Sequence, residues 1–182
     1  MLRIEPARPE HAKALAELAE TTFRLTFAAD NTTANMARHC QASYGEAIQR
    51  EEIRDPSLHT LLVWQDSQLT GYAQLRLGPA PACVSGTRPG EILRFYLQPA
   101  CHGQGLATQL MDACLAWLRQ AGCDVVWLGV WEHNPRAIAF YCKHGFEVCG
   151  DHVFPLGDDP QRDLVMARAL ATCAQIPVLP GR

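Results

Sequence analysis

One segment constrains the fold more than any other. An apolar strand pattern, EILRFYL (91–97), runs into the loop QPACHGQG, then an amphipathic helical pattern from about Gln104 to Ala121. A second apolar run, VVWLGVW (125–131), follows and is long enough to lie centrally in a sheet. Leu106, Leu110, Cys114 and Leu118 fall on one stripe of the intervening helix. A strand–helix–strand unit of this kind calls for a sheet with helices packed on it.

The rest of the chain supplies such a sheet. Ala12, Leu15, Ala16, Ala19, Phe23 and Phe27 recur at helical spacing, and a second helical region spans about Thr33 to Arg54, ending at Asp55-Pro56. LHTLLVW and LTGYAQLRL read as strands joined by a turn at 66–68. GPAPACVSGTRPG, within 78–90, reads as a mobile surface loop. NPRAIAFYCKHG is a short helix with Asn134 as N-cap, Pro135 at its first position and Gly145 past its end. FEVCGDHVF and DLVMARAL close the sheet. The expected architecture is a single α/β (α+β) domain over 1–170, a largely antiparallel sheet flanked by helices, with a C-terminal tail over 171–182.

Composition narrows what such a domain does. The chain has 182 residues, 19% of them charged, with a net charge of −3 and no block of like charges. A nucleic-acid partner therefore has no electrostatic footprint. The N-terminus meets acids within its first residues, which argues against a signal peptide or membrane span and for a cytoplasmic protein. Eight cysteines occur without a CxxC pair, so reduced, mostly buried thiols are expected and no metal.

The loop PACHGQGLATQL carries Gly103, Gly105 and Ala107 at alternate positions and no charged residue. Glycines let backbone approach a phosphate, and a helix N-terminus offers it free N–H groups. On the loop alone, a tight strand-to-helix turn explains the glycines equally well. A dinucleotide fingerprint fails on context, because its glycines belong directly after the strand and Asp124 precedes VVWLGVW instead of ending it.

HGQGLA after RFYLQP resembles the acetyl-CoA pyrophosphate loop of the GNAT superfamily of N-acetyltransferases, with His102 where glutamine or arginine is usual. LGVWEHNPRAIAFYCKHGF resembles the strand and helix that follow that loop in the superfamily. Across roughly Ile4 to Arg168 the chain is most similar to bacterial spermine/spermidine N-acetyltransferases of the PaiA type. The resemblance implies transfer of acetyl from acetyl-CoA to a primary amine, a polyamine in the first instance, with a protein or peptide N-terminus or a non-catalytic acyl-CoA-binding role as alternatives. A homodimer is left open.

Such an amine has a pKa near ~10.4, so holding it neutral at pH 7 costs about 4–5 kcal/mol and a proton acceptor is required. The leaving thiolate wants a donor, and the carbonyl oxygen wants a positioned N–H. The resemblance gives Tyr141 the donor's role, although a tyrosine packed beside Ile138 is the plain structural alternative. PaiA-like proteins commonly carry glutamate where this chain has Leu93, so Glu91, two residues earlier on the same strand face, becomes the candidate base, with Glu132 or solvent behind it. Phe95, Tyr96 and Leu97 are expected along the pantetheine, with Phe95 and Leu97 facing one way and Arg94 and Tyr96 the other. His102, Gly103, Gln104, Gly105, Leu106, Ala107 and Thr108 are expected at the diphosphate, and Asn134, Arg136 and Lys143 around the coenzyme. Acceptor contacts are assigned to Phe23, Phe27, Asp30, Asn31 and Glu132, with help from Asp158 and Asp159. Phe23 and Phe27 also suit the first helix's buried stripe, and GDDP an ordinary turn.

Overall fold

A computed structural model of the protein describes residues 1–156 and 159–171, the side chain of Asp159 excepted. Along the chain run β1 (Leu2–Pro6), α1 (Ala12–Phe27), α2 (Thr33–Ser43), α3 (Glu46–Arg54), β2 (Leu58–Gln65) and β3 (Gln68–Leu77). Next come β4 (Pro89–Leu97), α4 (Leu106–Gln120), β5 (Val125–Trp131), α5 (Pro135–Lys143), β6 (Glu147–Leu156) and β7 (Asp159–Ala169). The strands form one sheet in the order β1-β2-β3-β4-β5-β7-β6. Among the described residues only β4 and β5 pair in parallel.

Each face of the sheet has its own core. On one, Leu110, Met111, Cys114 and Leu118 of α4 and Tyr141 of α5 bury against Ala73, Leu75, Ile92 and Val126. On the other, Leu15 and Phe23 of α1 and Met36 of α2 bury against Leu62, Tyr72 and Leu156. A buried leucine is worth about 1.5–3 kcal/mol, so the helical stripes hold both layers down.

Two expectations need correction. The helical region 33–54 is two helices, because Tyr44 leaves helical geometry at φ −128° and ψ 118°. Its ring is buried against Phe23 and His39, at centroid distances of 5.6 and 5.8 Å, and Gly45 then caps α3. The 78–88 loop is not loose. Asp124 accepts from the backbone N–H groups of Thr87 (2.9 Å) and Arg88 (2.9 Å), and Val84 N–H donates to Pro81 O at 2.9 Å. The acid that lies at dinucleotide spacing thus serves as a loop clamp.

The described cysteines are all free; Cys40, Cys101, Cys114 and Cys123 are buried, whereas Cys142 and Cys149 are exposed. Among the described residues no helix is long and apolar enough to cross a membrane, and no cluster of metal-ligating side chains occurs.

The feature that positions the site is a split in the sheet. β4 and β5 pair only through Pro89, Gly90 and Glu91 opposite Val125, Val126 and Trp127. Beyond Glu91, β4 pairs with β3 alone, and beyond Trp127, β5 pairs with β7 alone. A register shift in the β3–β4 ladder leaves Leu93 as an extra residue between Ile92, opposite Leu75, and Arg94, opposite Gln74. Such a bulge bends a strand away from its neighbour.

Candidate active site

A cavity of about 630 Å³ fills the split and is lined from both strands, α1, α2, α5 and β7. Its two ends differ in chemistry.

At one end lies the glycine loop. Pro99–Cys101 form a single 3-10 turn, and Gly103 and Gly105 both adopt left-handed backbone, at φ 78° and 77°. A Cβ on either would meet nothing within 4 Å, so their glycine character answers the turn's geometry and leaves the surface open. Gly105 caps α4, and its carbonyl accepts the first helical bond, from Gln109 N–H at 3.2 Å. The N–H groups of Leu106, Ala107 and Thr108 are therefore unused by the helix and face an exposed loop. Gln104 braces the turn by donating from Nε2 to Ala100 O at 2.8 Å. Bare amides at a helix N-terminus receive an anion without a charged side chain.

His102, where the loop pattern has glutamine or arginine, takes a structural part. A carbonyl only accepts, so His102 Nε2 carries the proton and donates to Leu97 O at 3.2 Å. Burial, and next the charge of Arg136, pull its pKa below the ordinary value, which keeps the ring neutral. Arg136 lines the cavity beside it; Lys143 stands exposed on the far end of α5 and does not.

Between the ends runs β4. Gln98 N–H donates to Thr70 O on the β3 side, so by the strand's alternation the N–H groups of Leu97 and Phe95 point into the split. Phe95 and Leu97 pack with the α4 layer while Tyr96 packs with the α1 layer, the alternation expected. Across the split, α5 starts at Asn134, whose Oδ1 accepts from Ala137 N–H at 3.1 Å. That cap, worth about 1 kcal/mol, aims the helix so that Tyr141 reaches the cavity. Tyr141 is 8% exposed and lies edge-on to Phe95 at 6.3 Å. Burial, with the Cys114 thiol adding, raises its phenol above the ordinary value, so it is protonated at neutral pH.

The other end is aromatic. Phe23 and Phe27 of α1 line it with His39 of α2, Tyr44 just past that helix, Trp131 of β5 and Phe154 of β6. Phe23 stacks on His39 at 4.4 Å, and Phe27 meets Trp131 edge-on at 5.8 Å. Arg94 also lines this end, but its guanidinium pairs with Glu52 at 2.7 Å beneath the Tyr44 ring. Its charge is thereby matched.

The expected acids stand elsewhere. Glu91 lies where β4 and β5 are still paired, held by Arg76 at 2.6 Å, and does not line the cavity. Burial raises its pKa against the pull of Arg76. The bulge at Leu93 cancels the simple alternation that placed Glu91 beside that position. Glu132 pairs with Arg162 at 2.8 Å, and Asp30 is exposed; neither lines the cavity. Asn31 acts at one remove, accepting from Gln161 Nε2 at 2.7 Å, and Gln161 does line it. Asp158 and the side chain of Asp159 lie outside the described residues.

The carboxylate that reaches the cavity is Asp163 of β7, the only one among its described lining residues. Its side chain is 15% exposed, and Oδ2 lies 4.0 Å from His152 Nε2. A Cβ placed on Gly129 would stand 3.4 Å from that oxygen, so the carboxylate sits directly over the backbone of β5. Burial raises its pKa, with His152 working against the shift. The signal for Asp163 in the sequence is faint: an acid in phase with the buried Val165 on one strand.

The sequence profile of the acetyltransferase (GNAT) family matches residues 13–146. The chain belongs to the GNAT family. An uncharacterized N-acetyltransferase of Mycobacterium bovis is 35% identical over 87% of this chain and 97% of its own length. An uncharacterized N-acetyltransferase from the pepI 3' region of Lactobacillus delbrueckii subsp. lactis is 33% identical over 84% of this chain and 88% of its own. The crystal structure of PaiA N-acetyltransferase from Thermoplasma acidophilum in complex with coenzyme A shares the fold, with a TM-score of 0.74 at 21% identity, covering 93% of this chain and 99% of that one. The protein is an acetyl-CoA-dependent acetyltransferase of GNAT fold. The residues present suit that substrate: free amides at the loop, an exposed approach to them, and a strand edge in the split.

Proposed function

We propose that this GNAT enzyme acetylates a small primary amine whose ammonium is received by Asp163 and whose apolar body lies against Phe23, Phe27, His39 and Trp131. One observation carries the reading: the one carboxylate among the cavity's described lining residues, largely buried, shares with the aromatic side chains the same split as Tyr141 and the Leu97 N–H.

The residues divide the work as follows. The amides of 103–108 and Arg136 hold the diphosphate, and the β4 edge guides the pantetheine arm inward. Asp163 takes a proton from the ammonium, and His152, whose side chain is 35% exposed, is placed to pass it to solvent. The amine lone pair forms the C–N bond at the thioester carbon, and the carbonyl oxygen takes the π electrons beside the Leu97 N–H. On collapse the C–S bond breaks, Tyr141 gives its proton to the sulfur, and the proton left on the new amide nitrogen returns to Tyr141. One proton is released overall.

A polyamine is the reading that the family resemblance favours, and aromatic walls suit its methylenes and cations. Its several ammonium groups ask for several anions, and Asp30 and Glu132 stand away from the cavity. Among the described residues Asp163 alone brings a carboxylate to the cavity, which favours an acceptor with one cation. The test is thiol release from acetyl-CoA with a panel of aralkyl and alkyl monoamines, spermidine, spermine and N-terminal peptides. Highest kcat/KM for apolar monoamines is expected, and clear preference for spermidine or peptides would overturn the single-cation reading.

A further inference from the structure

Two cysteines far apart in sequence meet outside the cavity. Cys149 Sγ lies 3.9 Å from Cys83 Sγ, and it also donates to Val165 O at 3.5 Å. Cys83 belongs to the β3–β4 loop, which Asp124 clamps to the start of β5. Cys149 sits at a register shift in the β6–β7 ladder, where Val148 faces Met166 and Gly150 faces Val165. That bulge turns an extra side chain toward the loop. The approach is close: a Cβ on Gly150 would stand 2.7 Å from Cys83 Sγ. Both partners are thus fixed by backbone, the loop by its clamp and the strand by its ladder.

We propose that Cys83 and Cys149 are a redox-modified pair that closes to a reversible disulfide under a peroxide oxidant, fastening the β3–β4 loop to the edge strand β6. Cys149 is exposed and Cys83 only partly so, which makes Cys149 the thiol that meets peroxide first. Its sulfur attacks one peroxide oxygen, the O–O bond breaks, and a sulfenic acid and water form. Cys83 sulfur then attacks the Cys149 sulfur, the S–O bond breaks, and a second water leaves. Each sulfur is oxidised by one electron, and the peroxide takes up both. A thiol reductant reverses the bond through a mixed disulfide. Closing from 3.9 Å to a bond of about 2.05 Å needs side-chain rotation on two anchored backbones. Burial and the neighbouring Cys83 push the Cys149 thiol up, so Cys149 rests as a thiol.

The intact protein is treated with hydrogen peroxide, its thiols counted, and digested without reduction. Loss of two thiols per chain and a peptide joining Cys83 to Cys149 are expected. Cys83→Ser and Cys149→Ser each abolish that peptide, while Cys142→Ser, which removes the other exposed thiol among the described residues, retains it. On the reduced wild type, phenylarsine oxide, which bridges neighbouring thiols, should shield Cys83 and Cys149 together from iodoacetamide. Thiol loss without the joined peptide, a peptide joined through Cys142, or shielding of neither cysteine would each overturn the proposal.

Discussion

Asp163→Asn separates catalysis from stability in opposite directions. The side chain keeps its size and loses its charge, in a place where burial disfavours the ionised form. A hydrogen bond to a charged partner is worth about 1.5–3 kcal/mol. Losing it from the bound ammonium lowers kcat/KM by about 10- to 150-fold. Removal of the proton acceptor places much of that loss in kcat. The folded protein answers the other way. Asp163 has a folded pKa above its unfolded value, so its ionised form costs stability. That cost is absent below the unfolded pKa, develops as pH rises from the unfolded to the folded pKa, and is complete above the folded one. Asparagine abolishes it, so the variant should melt higher than wild type at pH 7 and no higher at a pH below the carboxylate range. In the wild type, kcat/KM should fall on the acid side at a pH above that of an ordinary aspartate. Thermal melts at two pH values and steady-state kinetics on one amine suffice. An unchanged kcat/KM together with a lower melting temperature at pH 7 would refute the assignment and make Asp163 a structural residue.

Tyr141→Phe should lower kcat by about 100-fold or more, with coenzyme A affinity by calorimetry nearly intact; an unaltered kcat removes Tyr141 from proton donation. Gly105→Val places a branched side chain at φ 77°, costing about 1–2 kcal/mol of stability and obstructing the loop amides. Coenzyme A should bind more than about tenfold more weakly, and normal affinity in a folded variant would move the diphosphate elsewhere. Glu91→Gln should leave the rate–pH profile unchanged, because the Arg76 pair keeps that carboxylate outside the cavity; a displaced acid limb would restore Glu91 as the base.

Local patterns in the sequence carried a long way here. The α4 stripe, the Asn134 cap, the glycine loop and the alternation of Phe95 and Leu97 against Tyr96 are all set within a few residues, where period and capping chemistry operate. The placements that went astray depend on pairing between distant strands. Nothing near Glu91 announces that Arg76 stands opposite it, or that a bulge at Leu93 shifts the phase beyond. Asp163 reads as an ordinary strand acid until the register sets it against His152 and over Gly129. The sequence excludes Asp124 from a dinucleotide site but does not disclose its bonds back to Thr87 and Arg88. The Cys83–Cys149 approach has the same character, since a bulge on one strand and a clamped loop from another hairpin create it.

The parting of β4 from β5 has a bearing on energetics as well as chemistry. Past Glu91 and Trp127 two strand edges face each other without a ladder between them. On the proposed placement, an amide-bearing substrate arm entering the gap would bridge them as a guest strand does. The free enzyme is in this sense a sheet with its centre stitch left undone, and it should gain rigidity each time acetyl-CoA arrives and surrender it as the thiol product withdraws.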